Sequence, residues 1–166
     1  MPQSPTSDTL FQKILSLTPS LGSVLDSGTG PHSLTFLTSC LARGLCSHVD
    51  AVAYDDETIR RCGKFASPGK VELHKHDWSK SSKISTSKGG GTSKYDTVIL
   101  DYLIGSTSST SPFKSDVILR NVVDNVKKGG SVFVVGLEGQ GGCGGKETGV
   151  LSDVVRVRDL CIMASG

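Results

Sequence analysis

Residues 24–33 read VLDSGTGPHS. Two apolar residues run into Asp26, Gly28 and Gly30 follow at alternate positions, and Pro31 stands where a helix begins. Proline suits the first helical position, because its φ is already helical and its missing N–H has no acceptor to lose there. A strand that passes through glycines into a helix leaves backbone N–H groups at the helix N-terminus, with no side chain to block an approaching anionic group. A dinucleotide cradle would use such a turn, with the fingerprint Gly-x-Gly-x-x-Gly. Here Ser33 holds the third position, and the Asp26 carboxylate would repel a pyrophosphate. A ligand carrying both a cationic and an anionic group removes that conflict, since its ammonium meets the carboxylate while its carboxylate meets the turn.

Outward from this stretch, short apolar runs recur at GSVLD (22–26), HVDAVAYD (48–55), KVELHKHD (70–77), YDTVILDYL (95–103) and SVFVVGLE (131–138). Each is rich in Val, Ile or Leu and too short for a helix, so they read as five buried strands. Helical spacing lies between them. Ser7 or Asp8 caps a helix carrying Leu10, Ile14, Leu15 and Leu17, which Pro19 ends. Leu34, Leu37 and Leu41 share a face of the helix after the glycine turn, with Gly44 as its stop. Ile118, Val122, Val123 and Val126 mark another helix, and Gly129 and Gly130 read as a turn before the fifth strand. Ser152 to Ala164 resumes a helical pattern. Alternation of strand and helix predicts an α/β domain with a doubly wound, mostly parallel sheet and helices on both faces.

At 166 residues the chain has the length of one domain, and residues 1–166 are read as one. Two tracts interrupt it: 79–94, a low-complexity Ser/Lys/Gly insert with almost nothing to bury, expected to be a mobile loop, and 139–149, a glycine-rich loop. The insert's lysines either touch phosphate or form a solvated linker. A net charge of +2 without a clustered basic face argues against nucleic acid and membrane partners. The five cysteines are scattered, with no Cys-x-x-Cys pair, which reads as reduced thiols and no zinc site. His32, His74 and His76 do not form a metal-binding spacing, so they read as structural and no metal is expected. The N-terminus lacks a basic start followed by an apolar run, and nowhere do 18 apolar residues run together, which predicts a cytoplasmic protein.

The stretch 24–33 resembles motif I of the class I S-adenosylmethionine-dependent methyltransferases: two apolar residues, an acid, then x-Gly-x-Gly-x-Gly. His32 stands in place of the last glycine. Further likenesses follow in the family's order over nearly the whole chain. HVDAVAYDDET is similar to the second strand, ELHKHDW to the third-strand motif, YDTVILDYLIG to the fourth strand, and VKKGGSVFVVG to the turn into the fifth. The resemblance implies a Rossmann-like fold with strand order 3-2-1-4-5, S-adenosylmethionine as cofactor, and methyl transfer to a small-molecule or protein acceptor. It implies cofactor binding by Asp26, Gly28, Gly30, Asp55, Asp77 and Trp78, with Asp55 on the ribose hydroxyls, Asp77 on the adenine amino group and Trp78 bordering the ring. Asp26 and Asp101 would face each other where the strand order reverses, with Asp101 or Tyr102 placed to act as a general base.

Each residue also has a plain structural reading. Asp26 can tie down the turn, Asp55 can cap the helix DETIRR, Asp77 can be a turn acid, and Trp78 and Tyr102 can be packing or surface residues. The family's two last strands have no counterpart before Gly166, so the chain reads as a truncated product, a fragment, or a domain completed by homo-oligomerisation through an exposed sheet edge. Two other functions stay open: a catalytically incomplete remnant that binds cofactor or serves as an interaction module, and a nicotinamide-dependent oxidoreductase.

Overall fold

The computed structural model describes residues 9–84, 94–103, 106, 111 and 113–136. The apolar run ahead of Asp26 forms β1 (Gly22–Asp26), which lies at the centre of a five-stranded sheet with β2 (Cys46–Ala53), β3 (Val71–Lys75), β4 (Tyr95–Asp101) and β5 (Val126–Val135). The order is β3-β2-β1-β4-β5, and all four strand pairings are parallel. Central parallel strands are covered on both faces and so bury consecutive apolar residues, as Val24 and Leu25 of β1 and Val98–Leu100 of β4 do.

Alternation along each strand separates two packed layers. Val24, Val49, Ala51 and Ile99 face α1 (Thr9–Leu17), α2 (Pro31–Ala42) and α3 (Asp56–Cys62), meeting Phe11, Ile14, Leu34, Leu37 and Cys62. Leu25, Val52, Val98 and Leu100 face the other way, onto Ile118 and Val122 of α4 (Ser115–Val123). Helices therefore lie on both faces. With nine residues, α4 is too short to hold itself, and its buried Ile118 and Val122 contribute about 1.5–3 kcal/mol each on docking. Gly44 adopts φ +70 after α2 and donates to the Leu41 carbonyl, the left-handed ending that glycine favours.

The structure departs from the sequence reading in three places. In α1, Phe11 and Ile14 are buried whereas Leu10 and Leu17 are exposed, because Phe11 stacks on Phe36 with ring centroids 4.8 Å apart and so sets the inward face. β5 begins at Val126, ahead of the glycine pair. Tyr95 pairs with Val126 and Thr97 with Ser131, so Lys127 to Gly130 bulge out of the ladder. Gly129 takes φ +81, and a Cβ on Gly130 would lie 2.8 Å from the Asp96 carbonyl oxygen. The pair is a bulge inside the strand. Third, Ser79 to Ile84 is docked: Ile84 is buried among Trp78, Tyr95 and Val98, and Asn125 Nδ2 donates to the Ser82 carbonyl at 3.0 Å. Residues 85–93 of the insert, the glycine-rich loop 139–149 and the helix expected at 152–164 lie outside the described residues, as do Ser7 and Asp8.

At the amino ends of β1 and β4, Ser23 N and Oγ donate to Asp96 Oδ2 at 2.8 and 2.7 Å, and Lys127 Nζ donates to Oδ1 at 2.8 Å. Lys127, then the Ser23 donors, hold the Asp96 carboxyl down to about 2. This clamp ties three strands at the end of the sheet opposite the candidate site. Among the described residues, no helix is long and apolar enough to cross a membrane.

Candidate functional site

β1 pairs with β2 on one side and β4 on the other, so the order reverses there and the segments leaving their carboxyl ends diverge. A cavity of about 280 Å³ opens at that place. Its wall takes Gly28 from the turn after β1, Ala53 and Asp55 from the end of β2, Asp77 and Trp78 from beyond β3, and Asp101 and Tyr102 from the end of β4. Six of the eight residues singled out from the sequence thus meet in one cavity; Asp26 and Gly30 do not line it.

Asp26 sits behind the turn, fully buried. Ser33 Oγ donates to its Oδ2 at 2.7 Å, and the same oxygen atom of Ser33 accepts from Gly30 N at 3.1 Å. Asp26 Oδ1 has no hydrogen-bond partner among the described residues. Burial, reinforced by the Asp101 carboxylate, lifts the Asp26 carboxyl to about 7 against the pull of Ser33, Thr29 and Gly28. A carboxyl perturbed this strongly beside a cavity marks a functional-site candidate.

The turn's amides are less open than its sequence implies. Ser27 N and Oγ donate to the Ile99 carbonyl at 2.8 and 2.9 Å, and Thr29 N donates to the Val52 carbonyl at 2.9 Å. The turn leaves a central strand, so carbonyls of β4 and β2 flank it and take these donors. Gly28 is required by the fold itself: a Cβ there would lie 2.7 Å from the Asp101 carbonyl oxygen and 3.0 Å from Leu103 Cβ. Gly30 is different. Its backbone is extended, at φ −145, and a Cβ would meet nothing within 4 Å among the described residues. Gly30 is the N-cap of α2, a position that favours glycine over alanine.

The acids on the wall have local partners. Asp55 caps α3, accepting from Thr58 N at 2.8 Å and Thr58 Oγ1 at 2.9 Å, which lowers its pKa. Asp77 accepts from Ser79 N at 3.0 Å and pairs with Lys80 at 3.0 Å; these donors outweigh burial and lower its pKa. Each carboxylate oxygen keeps a further lone pair beyond these bonds. Asp101 is buried and Tyr102 is 40% exposed with φ +51, a left-handed conformation uncommon outside glycine. No Lys or Arg lines the cavity among the described residues, whereas Asp55, Asp77 and Asp101 do.

Trp78 is buried, and its indole N–H donates to the Ser27 carbonyl at 2.8 Å, joining the turn after β3 to the turn after β1. His76 meets the Trp78 ring edge-on, with centroids 4.6 Å apart, and also lines the cavity. Sequence reading set His76 aside as structural and gave Ser33 no role at the site. The acid beside the turn was the available signal for Ser33, since a buried carboxylate needs a donor within reach.

No protein-family model and no curated protein matches the chain. Solved structures do. DhpI, solved in a complex with SAM and HEP, aligns with a TM-score of 0.56 at 18% identity over 79% of this chain and 53% of its own. SAM-bound CalS10, an amino pentose methyltransferase from Micromonospora echinaspora, gives 0.55 at 17% over 78% and 49%. The plantazolicin methyltransferase BpumL, in complex with SAH, gives 0.53 at 19% over 79% and 49%. The fold is that of the class I methyltransferases. This chain spans about half the length of the methyltransferase structures it matches. In the class I methyltransferase order, its glycine turn follows β1 and its cavity lies at the reversal beside that strand.

Proposed function

We propose that this chain binds S-adenosylmethionine in the cavity at the carboxyl ends of β1, β2 and β4 and serves methyl transfer to a small-molecule or protein acceptor. The carrying observation is the charge of the wall: three carboxylates, of which Asp77 is paired with Lys80, and no Lys or Arg lining the cavity among the described residues. A pyrophosphate would enter that field at a cost, whereas a ligand bearing a sulfonium and an ammonium gains from it. This favours the methyl donor over a nicotinamide dinucleotide. Gly30, over which the described residues leave open space, fits close approach of the same group.

When bound, S-adenosylmethionine supplies a methyl group activated by its positive sulfur. The chain's own part is alignment and exclusion of water. Ser33 holds Asp26 and the Gly30 amide in one bonded unit, so the acid and the turn keep a fixed relation. Asp55 and Asp77 keep acceptor capacity for hydroxyl and amino donors while Thr58 and Ser79 fix their orientation. Asp101 and Tyr102 stand where an acceptor would enter; a base is needed there only when the nucleophile must lose a proton before attack.

Isothermal titration with S-adenosylhomocysteine, with NADH in parallel, tests the reading. Binding of the former alone, weakened about tenfold or more in Asp26→Asn, is the expected result, equivalent to about 1.4 kcal/mol. Binding of NADH in its place, or of neither ligand by folded protein, refutes it.

A further inference from the structure

A second cluster of ionisable side chains lies away from the cavity, on the seam between β2 and β3. His48 and Asp50 stand two residues apart on β2, and Glu72 and His74 two apart on β3; Asp50 pairs directly with Glu72 across the parallel ladder. Side chains at i and i+2 share a face of a sheet, so all four project together. Asp50 is buried. One ligating atom each of Asp50, Glu72 and His74 lies within 4.8 Å of the others.

We propose that Asp50, Glu72 and His74 form a binding site for a divalent transition metal of the zinc class, with water in the remaining position. Two observations support it. The spacing of the ligand atoms is close to what one ion needs: ligand bonds of about 2.0–2.2 Å in tetrahedral geometry put ligand atoms about 3.3 Å apart, within a small side-chain adjustment of the present arrangement.

The second is orientation. Tyr95 Oη donates to Asp50 Oδ2 at 2.7 Å, and His48 Nε2 lies 3.0 Å from that same oxygen. Both outer partners therefore hold Oδ2, while Oδ1 is turned to His74 Nε2 at 2.6 Å. A carboxylate fixed through one oxygen and presenting the other is the arrangement outer partners give a metal ligand. Metal binding would require a lone pair at His74 Nε2, so the His74 Nε2–Asp50 Oδ1 hydrogen bond is given up and both atoms turn to the ion. Imidazole and carboxylate together select a borderline ion, and no thiol belongs to the set.

None of the three ligands lines the cavity, but Val52, paired with His74, does, and β3 leads directly to Asp77 and Trp78. The metal would pin β2 to β3 beneath that wall.

The test uses tag-free protein of all 166 residues, stripped with chelator and titrated with zinc by calorimetry and with cobalt by visible absorption. Expected are one ion per chain, a higher melting temperature with zinc, and a cobalt spectrum with no thiolate charge-transfer band. Glu72 is partly exposed, so Glu72→Gln is the variant that keeps the fold, checked by circular dichroism; it and His74→Gln should each weaken binding about 30-fold or more. Absence of stoichiometric uptake by folded protein, a thiolate band, or uptake unchanged in both variants overturns the proposal.

Discussion

Replacing Asp26 by Asn should make the protein more stable at pH 8 while weakening it as a receptor. Asp26 is fully buried, and its carboxyl stands at about 7 against 3.8 for an ordinary aspartate. Between those values the folded chain holds a proton that the unfolded chain has released. Stability therefore falls as pH rises from about 4 to about 7, and is constant beyond. At 1.36 kcal/mol per tenfold, the full effect is about 4 kcal/mol. Asn has no proton to lose; it keeps the shape and accepts from Ser33 through a neutral bond, which is weaker by about 1 kcal/mol. The two proteins should thus agree within about 1 kcal/mol at pH 4, and the variant should lead by about 3 kcal/mol at pH 8. Urea denaturation at pH 4, 6 and 8 measures the difference directly, and comparison with wild type cancels the other titrating groups. A difference independent of pH, or a variant less stable at pH 8, would show that Asp26 ionises like a surface acid and would refute the reasoning.

Gly28→Ala and Gly30→Ala should separate the two glycines. The first forces a Cβ against the Asp101 carbonyl and should cost about 1–3 kcal/mol in a melt, whereas the second meets no steric clash among the described residues, should cost only the N-cap preference of about 0.5–1 kcal/mol, and should lower affinity for S-adenosylhomocysteine. Asp55→Ala removes the α3 cap and should cost about 1 kcal/mol, which Asp55→Ser restores; product affinity that recovers with Ser would assign Asp55 to the cap alone. Trp78 is the single tryptophan and lines the cavity, so its fluorescence should change on binding, and Trp78→Phe, which leaves the Ser27 carbonyl without its donor, should lower stability by about 1–3 kcal/mol in urea denaturation.

The sheet order and its turning point were legible because β1 and β4 are buried on both faces, which forces short apolar runs such as Val98–Leu100 to show in the sequence. The glycine turn was legible for a related reason: close packing at Gly28 excludes every side chain. The limits of β5 were not, since a bulge is specified by what the Gly129–Gly130 backbone meets on β4, and Asp96 is more than thirty residues away. The Asp50, Glu72 and His74 cluster escaped notice likewise. Its members are local only across the β2–β3 ladder, and a register of strand pairing leaves no spacing for a linear reading to find. Phe11 in place of Leu10 on the inner face of α1 depended on an aromatic partner in another helix.

The backbone N–H groups of Ser27, Thr29 and Gly30 find acceptors within the protein, in the Ile99 and Val52 carbonyls and Ser33 Oγ, while Thr29 Oγ1 has no partner among the described residues. The backbone of the turn is thus held in place before any ligand arrives. Capture at this site carries little ordering entropy for the turn, so encounter rates should vary little among related ligands, and selectivity should reside in how long each remains bound.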